Sequence, residues 1–440
     1  MGRVITDILG FRFDRFLVNT SNQVLGTIKH TPQKLYHTTS NTTKPKISNS
    51  FVPSMEDLPS PIMVDILSRL PVKTIIHCKC VCTTWRDLLS DSHFANIHLS
   101  RSPAGIMIHH DSEKDIMRDY HKPGFLKWVE IKAEPDHQSL HHDPVMSLDL
   151  SLAPILQDVK LLQVGSVNGL ICLWEYGKKC DNTYICNPIT REYMILPRQK
   201  YYRDQGYAII VYCFGVGLQT NEYKVIRTFQ GDIPPKPDQT SRPSLLEAEV
   251  YTLGTRQWRS LGHVPYWLNG FHGPFLNGNA HWIVFDEDSP EKLCTFDFDN
   301  ETFQLFPSPP CEGIEDSAYC FQSLAVINGC LGQSYTYESE FSIWVMKEYG
   351  VKRSWHKEVV IKESISPDLD WVMWEPMYLV EGLKDGSILM VFYEDKLLKY
   401  CPKRKTIQDI GIFERYFSGI AYRPSFVKLQ RFESESVHVL

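Results

Sequence analysis

The chain has 440 residues, 43% of them hydrophobic and 22% charged. That mix excludes a wholly disordered chain and leaves enough apolar mass for a sizeable core. The 46 basic and 52 acidic side chains give a net charge of −6, which argues against a dominant nucleic-acid footprint.

Aromatic residues reach 12%, a composition that favours strands. The 12 cysteines are scattered and contain no C-x-x-C pair, so neither a disulfide framework nor the usual zinc spacing is present. Cys78, Cys80 and Cys82 alternate with other residues, and steps of two on a helix point away from one another. Reduced thiols are expected, in the cytoplasm, the nucleus or both. Arg3, Asp7, Arg12, Asp14 and Arg15 interrupt any signal-peptide core. No apolar run is long enough for a membrane span, so no membrane association is expected.

Residues 1–55 read as a basic and polar extension. The first 50 carry seven basic and two acidic side chains, and 38–50 contain no aromatic. Such a composition does not offset its ordering entropy, so disorder is expected.

Residues 56–100 change character. Ser60 is expected to cap a helix with Pro61 as its first residue, followed by Ile62, Ile66, Leu67 and Leu70 at helical spacing. Pro71 ends it. A second helix is expected from Val72 to Cys82, and a third from Thr83 or Thr84 through Trp85, Leu88 and Leu89. Phe94 lies in a turn into another short helix. A bundle of this size has a thin core and needs a neighbour.

From 101 to 430 the pattern is strand-like, with 431–440 left as a tail. Apolar runs follow turn signals at Asn168-Gly169, Asn277-Gly278, Asn328-Gly329 and Asp385-Gly386, and Gln219 to Glu222 fills the gap in the series. The later turns recur at about fifty residues, and each unit holds two hairpins, hence four strands. Repeated four-stranded sheets predict a large all-β domain, a β-propeller, and the length predicts six blades. There is no Gly-Gly doublet of the kind kelch blades carry and no Trp-Asp dipeptide, which excludes a WD40 array. Residues 230–247 are a Pro-rich insertion, expected as a long loop.

The stretch 58–94 resembles the F-box. Leu58-Pro59, Ile66-Leu67, Leu70-Pro71, Val72-Lys73-Thr74, Val81-Cys82, Trp85-Arg86 and Phe94 fall at that family's fixed spacings, and Pro61 departs from it. The remainder resembles the kelch-like F-box-associated interaction domain of plant F-box proteins. The segments that carry this are Gly165 to Leu170, Asn187 to Glu192, Phe214 to Gly217, Asn221 to Val225 and Tyr422 to Phe426. The resemblance implies a small all-α F-box bundle, docked on a Skp-type adaptor of a cullin–RING ubiquitin ligase. A kelch-like propeller would then hold the protein to be ubiquitinated. No catalytic residue and no cofactor are implied.

On that reading the adaptor-binding candidates are Leu58, Pro59, Ile62, Ile66, Leu67, Leu70, Pro71, Val81, Cys82 and Trp85, which supply more apolar surface than so short a bundle hides. Candidates for binding the target are aromatic and Arg side chains in loops: Tyr201, Tyr202, Arg203, Tyr266, Trp267, Trp371 and Trp374. Two alternatives stay open, a β-propeller hydrolase or oxidase with an unrecognised pocket, and a binding scaffold that works without a ligase. The histidines His109, His110, His121, His137, His141 and His142 match no metal motif, so no metal site is expected. No P-loop or nucleophile-elbow motif occurs, and Asp286, Glu287 and Asp288 read as a solvated turn.

Overall fold

The computed structural model describes residues 58–103, 105–110, 125–129, 146–149, 161–175, 182–197, 209–230, 246–270, 273–284, 289, 291–310, 321–337, 340–362, 377–383, 385–392, 396–410, 417–432 and 434–439. The chain divides into two compact units, Met1–Phe94 and Ala95–Leu440.

The first unit holds three helices, α1 (Ser60–Leu67), α2 (Val72–Cys78) and α3 (Thr83–Leu88), and the start of a fourth, α4 (Ser92–Arg101), which runs across the division. Pro59, rather than Ser60, is the N-cap residue of α1, and its carbonyl accepts from Ile62 N at 2.9 Å and Met63 N at 3.1 Å. Pro61 then sits in the first turn, where its missing N–H leaves no bond unmade. Helix α2 stops at Cys78, short of the expected Cys82. The amides of Cys80 and Val81 reach back only three residues, to the carbonyls of His77 and Cys78, which tightens the chain out of the α-helical path. Cys82 caps α3, its Sγ accepting from Trp85 N at 3.4 Å. Met63, Val64, Leu67, Val72, Ile75, Cys78, Trp85, Leu89 and Phe94 are the first unit's buried apolar side chains among the described residues.

The second unit is built of up-and-down meanders. The strands are β1 (Gly105–His110), β2 (Phe125–Val129) and β3 (Met146–Asp149); then β4 (Leu161–Val167), β5 (Leu170–Glu175), β6 (Thr183–Asn187) and β7 (Glu192–Ile195). Next come β8 (Ile209–Val216), β9 (Tyr223–Gln230), β10 (Glu247–Thr252) and β11 (Trp258–His263). They are followed by the short β12 (Leu268–Asn269) and β13 (Phe275–Leu276), β14 (Asn279–Val284), β15 (Leu293–Asp297) and β16 (Thr302–Phe306). The series goes on with β17 (Phe321–Ile327), β18 (Cys330–Tyr337), β19 (Glu340–Met346) and β20 (Trp355–Lys362). It ends with β21 (Met377–Gly382), β22 (Ile388–Phe392), β23 (Lys396–Cys401), β24 (Thr406–Asp409), β25 (Phe417–Tyr422) and β26 (Val437–Val439).

The Asn-Gly pairs read from sequence are tight hairpin turns. Asn168, Asn277 and Asn328 have φ of 51°, 51° and 52°, and the glycine after each is also positive. That double left-handed step matches the twist of the flanking strands and is open to few residues besides Asn and Gly. Register confirms two-residue loops, with Val167 opposite Leu170, Leu276 opposite Asn279 and Ile327 opposite Cys330. Asn221, in the inferred missing turn, has φ 54°.

The meanders follow one another in a ring, joined by shared apolar clusters. One cluster joins the β4–β7 and β8–β11 sheets through Leu170, Ile185, Phe214 and Tyr251, and the next joins β8–β11 to β12–β16 through Cys213, Ile226, Trp282 and Phe296. Others join β12–β16 to β17–β20, β17–β20 to β21–β24, and β21–β24 to the sheet that holds β1. The last gap is closed by Tyr422 Oη on Gly169 O at 3.3 Å and Gln163 Nε2 on Met107 O at 3.2 Å. The closing sheet mixes chain ends: β25 pairs antiparallel with β1, Gly105 opposite Tyr422 and Ile108 opposite Gly419, so the order is β25-β1-β2-β3. This is a kelch-like propeller with its ring fastened by the last long strand.

One expectation is corrected. The meanders are not six separate blades: four sheets stand alone, while β17–β20 and β21–β24 form one eight-stranded sheet. A parallel bridge between Val326 and Glu381 fuses them. After β25 the chain runs on as a strap. Asn187 Nδ2 donates to Ser425 O and Val427 O, Leu429 N donates to Glu192 Oε2 at 2.6 Å, and β26 adds a fifth strand to β7. The segment 431–440 therefore carries an ordered strand.

Candidate functional site

The helical unit separates its apolar residues into two sets. On α1, Met63, Val64 and Leu67 point inward, while Ile62 and Ile66, four apart on the other side, stay accessible. Ile62 is 48% exposed. Leu58, Leu70, Val81 and Cys82 are half-buried, and Pro59 and Pro71 are exposed at the starts of α1 and α2. Leu67 and Trp85 are sealed in the interior, so they support the surface rather than form it. Cys82 has a local duty as the cap of α3. The Asp65–Arg69 pair, at 3.0 Å, lies beside the accessible isoleucines and is itself solvent-exposed. Cys78 is buried, which pushes its thiol up to about 11, and Cys80 is exposed; the C-x-C-x-C run does not gather its sulfurs into a site.

In the sheet unit, Tyr266 and Trp267 are half-buried. Tyr266 packs against the cluster of Val211, Leu268 and Trp282, and Trp267 against that of Leu246, Ala248 and Val264. Tyr201, Tyr202, Arg203, Trp371 and Trp374 lie outside the described residues, as do most of the Pro-rich insertion, Asp286 to Asp288, and His121, His137, His141 and His142. His109 is buried on β1. Among the described residues no group of three or more His, Cys, Asp or Glu could hold a metal ion.

Buried ionisable groups are spread over different sheets. His281 on β14 is fully buried; Nε2 lies 2.8 Å from Tyr349 Oη and Nδ1 3.3 Å from Pro274 O. Burial drives its pKa down to about 4, against the pull of the Pro274 carbonyl, so the ring is neutral. Glu381, at the fused bridge, is pushed up to about 7 by burial, partly offset by Arg423 and the Gly382 amide. Arg227 is caged between Trp258 and Phe229 and bonds Glu249 at 3.0 and 3.1 Å. These three sites belong to the β12–β16 sheet, the eight-stranded sheet and the β8–β11 sheet respectively, each tied to its own neighbours.

One feature escaped the sequence. Three turns between third and fourth strands, β6–β7, β10–β11 and β23–β24, carry the exposed cations Arg191, Arg256, Lys403, Arg404 and Lys405; the β19–β20 turn carries Lys347 and Lys352, both in ion pairs, and Arg353. Arg191, Arg256 and Lys405 have φ of 58°, 59° and 55°. The repeat of Arg or Lys just before an outer strand was the available signal.

Comparison with known proteins follows the same division. The family model described as F-box associated beta propeller domain matches residues 130–428, and the one described as F-box-like matches 55–100. An F-box protein of Arabidopsis thaliana is 29% identical over 388 residues, covering 81% of this chain and 88% of the relative. An F-box/kelch-repeat protein of Arabidopsis thaliana is 26% identical over 366 residues, covering 79% and 89%. The F-box protein CPR1 of Arabidopsis thaliana is 25% identical over 336 residues, covering 70% and 74%.

Proposed function

We propose that this chain, which belongs to the family of plant F-box proteins with an F-box associated beta propeller domain, is the substrate-recognition subunit of an SCF-type ubiquitin ligase. Its helical unit docks on a Skp-type adaptor and, through it, on a cullin–RING ligase. Its sheet unit holds the protein to be ubiquitinated. The chain performs no covalent chemistry; the transfer of ubiquitin belongs to other subunits. It works in the cytoplasm, the nucleus or both.

The observation that supports this most is the accessibility of Ile62, Ile66, Leu58, Leu70 and Pro59 in the very segment that the F-box-like model matches. A helix surface of this kind left open in the free chain is suited to a groove on another protein. Removing about 25 cal/mol per Å² of apolar area from water is the driving term for closing it.

The full chain, mixed with a Skp-type adaptor, is expected to co-elute with it in size-exclusion chromatography. Ile62→Asp with Ile66→Asp is expected to abolish co-elution while circular dichroism stays that of the wild type. Wild-type chain that elutes alone at micromolar concentration sinks the proposal.

A further inference from the structure

The alternation of strands puts the turn between the third and fourth strands of each meander at the same end as the turn between its first and second. Contacts between sheets bear this out: Asp299, in the β15–β16 turn, accepts from the amides of Leu218, Gln219 and Thr220 in the β8–β9 turn, at 2.8 to 3.2 Å. Arg191, Arg256, Lys403, Arg404 and Lys405 therefore share one end of the sheet unit. They lie on an arc of consecutive sheets, from β21–β24 across the closing sheet to β4–β7 and β8–β11.

Among the described residues, four acids at this end of the arc are committed. Asp385 holds Lys399 at 2.9 Å, Glu222 holds Lys224 at 3.1 Å, Glu192 accepts from Leu429 N, and Glu435 accepts from Tyr251 Oη at 2.6 Å. Arg191, Arg256, Lys403, Arg404 and Lys405 make no ion pair with any described residue. In the neighbouring β12–β16 sheet, at the edge of the arc, the equivalent turn residue is Glu301, which shares the left-handed conformation at φ 55° but is engaged by Lys224 and Arg259. Where this strained turn position holds an acid, the acid is used internally. Where it holds a cation, the cation faces solvent, at a conformation that Asn or Gly would adopt with less strain.

We infer that this arc docks an acidic stretch of polypeptide, rich in Asp and Glu, in the protein that the sheet unit recognises. The inference rests on the receptor reading above and adds the chemistry of what is received. Unpaired cations on rigid hairpins give an anionic partner attraction and register without moving the blades. The overall charge of −6 makes the arc a local exception and so a discriminating one.

The test is fluorescence anisotropy of a labelled Asp/Glu-rich peptide with the full chain, at low and at physiological salt. Reversal of the arc (Arg191→Glu, Arg256→Glu, Lys403→Glu, Arg404→Glu, Lys405→Glu) is expected to weaken binding about tenfold or more and to flatten its salt dependence. Glu301 already shows that Glu sits at this turn conformation, and the Gln series at the same positions gives a neutral second variant with a smaller loss. Affinity unchanged in both series overturns the inference. So does binding that vanishes only when the basic residues of 1–50 are neutralised. Adaptor co-elution of the arc variants stays at the wild-type level, so failure here is distinct from failure of the receptor reading.

Discussion

In the sheet unit the apolar side chains named in the ring clusters lie within packed interfaces between neighbouring sheets, and Leu170, Phe214, Cys213, Phe296, Leu293 and Leu389 have no solvent-exposed surface at all. In the helical unit Leu67, Ile75 and Leu89 are equally sealed, yet Ile62, Ile66, Leu70 and Val81 keep access to water. The difference is one of closure. A ring of sheets offers each sheet two neighbours, and the pairing of β25 with β1 brings the two ends of that run of strands into one sheet. Short helices with a single thin core have no second layer to cover their outer side. The sheet unit also exposes single apolar side chains, Leu218, Phe321 and Val439 among them, but on the helical unit the accessible residues Ile62, Ile66, Leu70 and Val81 fall within one short segment, and that is where the proposed adaptor would cover them.

The largest effect that tests the comparison is a cavity in the ring. Phe296 is fully buried and touches Phe298 and Phe303 at ring distances of 5.3 and 4.9 Å. Phe296→Ala is expected to lower the stability of the sheet unit by about 3–5 kcal/mol in urea unfolding. Adaptor affinity should stay unchanged, because the cavity lies in the closed unit. A loss of adaptor binding at temperatures where the ring is still folded would break the distinction between the two units.

Next in size are two groups sealed in the ring, with opposite dependence on pH. His281 has a folded pKa near 4, below its ordinary value of 6.5. As pH falls from 6.5 towards 4 the unfolded chain takes up a proton that the folded one refuses, so stability drops by up to roughly 3 kcal/mol. His281→Gln should remove that part of the acid sensitivity. Glu381 is the reverse, with a folded value near 7 against 4.5. The folded chain binds its proton more tightly, so this contribution is complete below 4.5 and is lost as pH rises through 7. Glu381→Gln should make the chain more stable at pH 8 and little different at pH 4.5. Urea midpoints across that range check both signs, and equal slopes for the variants and the wild type would show that neither group is sealed.

Much of this was legible in the residues. Asn168-Gly169, Asn277-Gly278 and Asn328-Gly329 announce hairpins because few other pairs tolerate two left-handed residues in succession, and their spacing carries the propeller. The fusion of β17–β20 with β21–β24 was not legible, since a backbone bridge from Val326 to Glu381 leaves no mark in side-chain pattern. The cap of α1 was misplaced by one residue because a proline carbonyl serves there where a serine hydroxyl was expected. On the candidate surface, sequence gathers the apolar residues of 58–85 but does not sort them. Leu67 and Ile66 are neighbours in the chain and in hydropathy, and only the direction in which α1 packs sends one inside and leaves the other out. The exposed cations of the outer turns were likewise invisible as a group, because they come together only through the ring.

The smallest expected change in stability is the sharpest for the comparison. Ile62 is nearly half exposed, and its side chain points away from Met63, Val64 and Leu67. Ile62→Asp should shift the thermal midpoint by an amount that corresponds to about 0.5 kcal/mol or less, as for other surface substitutions. It should weaken adaptor binding at least about tenfold, since an interface centre does not tolerate a buried, unpaired carboxylate. Trp85→Ala, by contrast, is expected to lose adaptor binding together with the helical circular dichroism signal, because its ring is interior. Titration calorimetry beside thermal melts separates the two. If Ile62→Asp destabilised the free chain as strongly as Trp85→Ala, Ile62 would be covered in solution by the chain itself, and the helical unit would be as closed as the ring.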